Sequence, residues 1–164
     1  CAIYDFKKVH KHFNGADIEP PNNPRSWDHC LIVIETGGMR IVHWGDNRHN
    51  PPDDVWKSLG HIDVALLPVD ASQHVMGHIH VQSIVDRLQP RVIVPSHYYI
   101  WDVVQRQSTL QTAEAWVTER EEFVERIAGP MKVYRIEEMD KLEAAVHYFG
   151  DHVAFDKAAW MDGA

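Results

Sequence analysis

The chain alternates short apolar runs with polar, glycine- and proline-marked breaks, and the period of each run predicts its element. Ala2 to His12 partly alternates and reads as a strand ending in a His-x-His pair, followed by a long Asn-, Pro- and Asp-rich loop from Phe13 to His29. Cys30–Thr36 is a β-branched apolar run, Gly37-Gly38 is a hairpin turn signal, and Met39–Trp44 is the return strand. Pro52-Asp53-Asp54 opens a short helix carrying Val55, Trp56 and Leu59, which Gly60 closes. Ile62–Pro68 and Arg91–Pro95 read as buried strands. Between them His78–Leu88 is a helix, with Val81, Ile84, Val85 and Leu88 on one face.

A third helix is expected from a Ser108/Gln111 capping box through the stripe Ala113, Trp116, Val117, Phe123, Val124 and Ile127, ending at Gly129-Pro130. Met131–Ile136 is then a last strand and Glu138–Phe149 a last helix, with Leu142, Val146 and Phe149 inward. Trp44, Trp56, Trp116 and Phe123 read most simply as core. No repeat, low-complexity stretch or linker interrupts 1–164, so a single α/β layered domain is expected.

Composition narrows the function classes. At 164 residues, 45% hydrophobic and 24% charged, the chain has the make-up of one globular domain. A net charge of -8 argues against holding nucleic acid through a basic patch. No apolar run approaches the ~18 residues of a membrane span, and no signal peptide is visible, so the expected location is the cytoplasm. Two cysteines, Cys1 and Cys30, make no disulfide framework. Histidine stands out, since 12 of them is an excess that asks for an explanation at a site.

Four places carry histidines or carboxylates at expected strand ends. His10 and His12 are i and i+2 on a strand, share a face and can reach one metal ion. Asp46, in His43-Trp-Gly-Asp46, leaves its strand as a hard oxygen donor beside a glycine. His74, His78 and His80 fall between a strand and a helix, and His97 stands just past a buried strand. Each also has a plain structural reading. Asp46 can simply form a turn. His78 and His80 point about 200° apart on a helix and cannot share an ion, so His80 reads as solvated and His78 stays undecided.

Taken together, Ile41-Val-His-Trp-Gly-Asp46, Ile62-Asp-Val-Ala-Leu-Leu-Pro68 and Pro90-Arg-Val-Ile-Val-Pro-Ser-His-Tyr98 resemble the second half of the metallo-β-lactamase fold superfamily. The branch they look most like is the metal-dependent hydrolases similar to L-ascorbate-6-phosphate lactonases. The resemblance implies an αββα sandwich, here lacking its N-terminal portion, because the family's leading His-x-His-x-Asp-His occurs nowhere in these residues. It further implies metal ligation by Asp46, by His97 and by His12, with His10 the alternative to His12. His74, His49 and Tyr98 become candidates for contacting substrate or supporting the ligands.

The implied cofactor is a divalent metal, zinc first with manganese or iron as alternatives, as one ion or two. The implied reaction is hydrolysis of a lactone, ester, amide or phosphodiester by metal-activated water, with Asp46 and His97 catalytic. The expected partners are a small-molecule substrate, with no nucleic acid, and either a second copy of the chain or an absent N-terminal portion. The rival is a binding or interaction module that keeps the fold without catalysis. A nuclease-like member is disfavoured by the acidic charge.

Overall fold

The computed structural model describes residues 2–5, 30–47, 49–71, 76–100, 109–129 and 131–150. The expected sites His10, His12 and His74 and the capping Ser108 lie outside the described residues.

The strands are β1 (Ala2–Asp5), β2 (Cys30–Thr36), β3 (Met39–His43), β4 (Val64–Pro68), β5 (Val92–Ser96), β6 (Val124–Arg126) and β7 (Val146–Tyr148). They form one seven-stranded sheet in the order β1-β2-β3-β4-β5-β7-β6. β1, β2 and β3 pair antiparallel, while β3, β4, β5, β7 and β6 run parallel. The hairpin between β2 and β3 turns on Gly37 and Gly38, whose φ angles of 56° and 79° are those a side chain rarely tolerates. The helices are α1 (Asp53–Leu59), α2 (His78–Leu88), α3 (Glu114–Thr118) and α4 (Ile136–Met139). The α/β expectation holds, and all described strands belong to this one sheet.

The alternation along β2 decides the layering. Leu31 and Val33 are buried while Ile32 and Ile34 stay exposed. With Val42, Ala65, Leu67 and Ile93, the buried set faces Val55 and Leu59 of α1, Val81, Ile84 and Leu88 of α2, and Trp116 and Val117 of α3 in the main core. The opposite face has a smaller cluster, Met39, Val64, Val92 and Met139, with Tyr134 and Leu142 packed on it. Arg91 fixes that covering segment by donating from its guanidinium to the carbonyls of Met139 and Leu142. Arg87 joins α2 to α1, lying 4.4 Å over the Trp56 ring and bonding Asp53 at 2.9 Å.

The elements from β2 to β5 follow the sequence pattern, and β1 does so over Ala2–Asp5, with the rest of that expected strand to His12 outside the described residues. The C-terminal third does not follow it. Only Glu114–Thr118 of the expected long helix is α-helical. A 3₁₀ turn at Glu121–Phe123 follows, and then β6. Gln111 is no capping residue here, because its N–H bonds the Asp70 carbonyl at 2.9 Å. Phe123 is 52% exposed rather than core. The expected strand Met131–Ile136 is irregular up to α4, and the expected helix Glu138–Phe149 gives way to β7. The physical reason is tertiary, since parallel pairing of Val124, Glu125 and Arg126 with Val146, His147 and Tyr148 overrides a local helical spacing.

Candidate functional site

Parallel strands end in register at one edge of the sheet, and three of them deliver a titratable side chain there. Pairing continues past β3 through the Trp44 N–H to the Leu66 carbonyl (3.0 Å), and past β4 through the Val69 N–H to the Ser96 carbonyl (3.1 Å). Asp46 follows β3, Asp70 follows β4 and His97 follows β5. Carboxyl ends of parallel strands are where open α/β sheets build sites, because rigid backbone ends there and loops begin.

Each loop is held locally. Gly45 has φ 62°, which suits glycine, and the buried Asn47 donates from its side chain to the Trp44 carbonyl at 2.6 Å. That turn leaves the Asp46 side chain 43% exposed. After β4 and β5 the backbone is left-handed at two non-glycine residues, Ala71 (φ 49°) and His97 (φ 51°). Such backbone persists only where its surroundings hold it, and it clusters at functional sites. Here residue 111 supplies part of the hold, accepting from the Tyr99 N–H (2.9 Å) while donating to Asp70.

The result is an imidazole between two carboxylates. His97 Nε2 lies 3.2 Å from Asp46 Oδ1, and His97 Nδ1 lies 3.6 Å from Asp70 Oδ1. Asp70 is fully buried and the His97 side chain is 28% exposed, so the open side of the group is the Asp46 side. The buried Asp70 carboxylate, with Asp46 adding to it, holds the His97 pKa above its ordinary value against the opposing effect of burial.

The structure thus brings together Asp46 and His97, which the sequence singled out, and adds Asp70, which it did not. The available signal was positional, since Pro68-Val69-Asp70 ends a buried strand just as the Gly-Asp46 and Ser-His97 motifs do. His49 stacks on His80 with ring centroids 4.0 Å apart, so His80 is not simply solvated. His78 Nε2 lies 3.3 Å from the Val69 carbonyl, a structural contact at the start of α2. The Tyr98 hydroxyl donates to the Gly150 carbonyl at 2.7 Å, and its ring packs on Tyr148.

The Asp46–His97 pair suits a metal ion in donor type and spacing. A carboxylate oxygen and an imidazole nitrogen bound at about 2.0–2.2 Å in a tetrahedral shell sit about 3.3–3.5 Å apart, against the 3.2 Å observed. Among the described residues, no group of three His, Cys, Asp or Glu side chains is placed to hold an ion. The described part therefore offers one edge of a coordination shell.

The sequence matches the profile of the beta-lactamase superfamily domain over residues 4–97, more than half of the chain. The chain belongs to the metallo-β-lactamase superfamily. The match runs from β1 to His97 and so takes in all three strand ends of the site. Superfamily relatives include a UPF0173 metal-dependent hydrolase of Thermococcus onnurineus, 38% identical over 44% of this chain and 32% of that protein. Another, of Desulforamulus reducens, is 30% identical over 62% of this chain and 43% of that protein. A third, of Pyrococcus abyssi, is 29% identical over 68% and 44%. The chain therefore spans about a third to just under a half of the length of these relatives. A candidate Zn-dependent hydrolase of the superfamily from Thermotoga maritima shares the fold, with a TM-score of 0.59 at 23% identity over 73% of this chain and 57% of that one.

Proposed function

We propose that this chain carries part of the active site of a metal-dependent hydrolase, with Asp46 and His97 as metal donors at the carboxyl edge of the sheet. The observation that carries the reading is the 3.2 Å approach of Asp46 Oδ1 to His97 Nε2, made by loops after two different strands. Names of the relatives, all metal-dependent hydrolases, point the same way. The shell is completed by residues outside the described part, with His12 the first candidate and His10 the second. Zinc suits a mixed nitrogen and oxygen donor set, and manganese or iron suits it as well.

A divalent ion held there supplies Lewis-acid polarisation of an acyl or phosphoryl oxygen and makes water acidic enough to attack near neutral pH. The chain's own residues position the chemistry. Asp46 is exposed enough to meet a substrate, and the His97 ring is held from its buried side. Small molecules with a lactone, ester, amide or phosphodiester linkage are the substrate classes. The resemblance to L-ascorbate-6-phosphate lactonases puts a lactone first among those to test.

Turnover of one compound from each class, before and after chelation, tests the reading. The expected result is hydrolysis of at least one class, abolished by chelator and restored by zinc or manganese. His97→Ala is expected to lose more than the roughly 10–100-fold that follows loss of an outer partner of a ligand. Absence of chelator-sensitive turnover would favour the second reading, a binding module that keeps the fold without catalysis. The observation on that side is that no three-ligand group occurs among the described residues.

A further inference from the structure

We infer that Asp70 is a positioning residue for His97, holding the ring by its Nδ1–H so that Nε2 is left as the donor on the Asp46 side. This rests on the reading of His97 as a metal donor and adds which nitrogen donates and what fixes it.

The two carboxylates lie at opposite nitrogens of one ring, Asp70 3.6 Å from Nδ1 and Asp46 3.2 Å from Nε2. A single ion bound by Nε2 can also be reached by Asp46, but not by Asp70 across the ring. Asp70 is fully buried, whereas Asp46 is exposed. A carboxylate taken out of water is retained where it faces a hydrogen-bond donor or a positive charge, and an Nδ1–H of His97 is a donor facing Asp70. The 3.6 Å separation is ion-pair range rather than a formed hydrogen bond.

The backbone adds an independent restraint. The Asp70 carbonyl accepts from the Gln111 N–H, and the residue before it donates to Ser96, the residue before His97. Asp70 and His97 are therefore tied to each other through main chain, next to the left-handed residues Ala71 and His97. Ligating imidazoles in general give their second nitrogen to a carboxylate or carbonyl, which sets the tautomer and the ring orientation.

The test is the tautomer of His97 in the metal-free Asp46→Ala chain, read from long-range nitrogen–proton NMR correlations at a pH where the ring is neutral. That variant removes the competing carboxylate 3.2 Å from Nε2. In Asp46→Ala the Nδ1–H tautomer is expected to predominate. When Asp70→Asn, whose amide can donate to Nδ1, is added to Asp46→Ala, the ring is expected to shift to Nε2–H. Zinc titrated alone is then expected to bind Asp70→Asn about 10–100-fold more weakly than wild type.

A predominant Nε2–H form in Asp46→Ala overturns the inference. An unchanged tautomer on adding Asp70→Asn to a folded Asp46→Ala chain overturns it too. A purely structural Asp70 would lower stability and leave the tautomer alone. If the tautomer shifts as expected but the wild type takes up no zinc, the positioning role stands and the metal reading fails.

Discussion

His97 and His147 are perturbed in opposite directions, and the causes are local. His97 sits beside Asp70 and Asp46, which raise its pKa above the ordinary 6.5. His147 on β7 is fully buried, with Tyr134 Oη 2.7 Å from Nδ1 and Glu125 Oε2 3.4 Å from Nε2. Burial pushes its pKa below 6.5, with Lys132 and Arg91 adding to the effect and Glu125 opposing it. The signs follow from which state binds more protons. The His97 contribution to stability is fully present below pH 6.5 and is lost as pH rises through its raised folded value. The His147 contribution is present above 6.5 and is lost as pH falls through that value toward its lowered one.

Urea unfolding of the chelated chain between about pH 8 and about pH 5 separates the two. His147→Gln is expected to flatten the loss of stability on acidification, and His97→Gln to steepen it. Identical pH slopes in both variants would contradict the assignment. At this scale the sequence displayed Asp46 and His97 because each follows an apolar strand in a recognisable motif. Asp70 was hidden, because an aspartate after Pro-Val reads equally well as a turn former. Its role depends on a histidine far along the chain, a distance that no local pattern carries.

At the level of elements, legibility tracked the length and purity of the hydrophobic pattern. β2 and α2 begin and end at the expected residues, because seven and eleven residues are enough to display their periods. β6 and β7 have three residues each, too few to show an alternation, and their neighbours mimic a helical stripe. Trp116 and Val117 are buried as the helical reading requires, but the chain leaves the helix at Thr118 and turns Phe123 toward solvent.

The contrast is measurable. Trp116→Ala is expected to destabilise by about 3–5 kcal/mol, the range for a large aromatic removed from a core. Phe123→Ala should stay within about 0.5 kcal/mol, as surface substitutions do. Equal and large losses at the two positions, measured by thermal or urea unfolding, would mean that the long helix forms after all.

For the whole molecule, the sheet's sidedness and the site have the same origin. Parallel pairing of β3, β4 and β5 requires crossover segments, and α1 and α2 supply them on one face. The same pairing brings three strand ends to one edge, where Asp46, Asp70 and His97 meet. Five of the described histidines take distinct places. His97 is at the site, His147 is in a buried polar cluster, and His49, His78 and His80 make contacts around α2. The α/β class could be read from the strand–helix alternation, whereas the strand order and the contents of the site depend on tertiary pairing.

This edge of the sheet is proposed to hold a divalent ion through Asp46 and His97. Zinc binding to the purified chain by calorimetric titration or equilibrium dialysis, with Asp46→Ala and His97→Ala beside the wild type, tests it most directly. Stoichiometric binding to the wild type and a loss of affinity of at least about 10-fold in each variant are expected. A wild type that binds no stoichiometric zinc, or variants that bind it as tightly as the wild type, would contradict the claim.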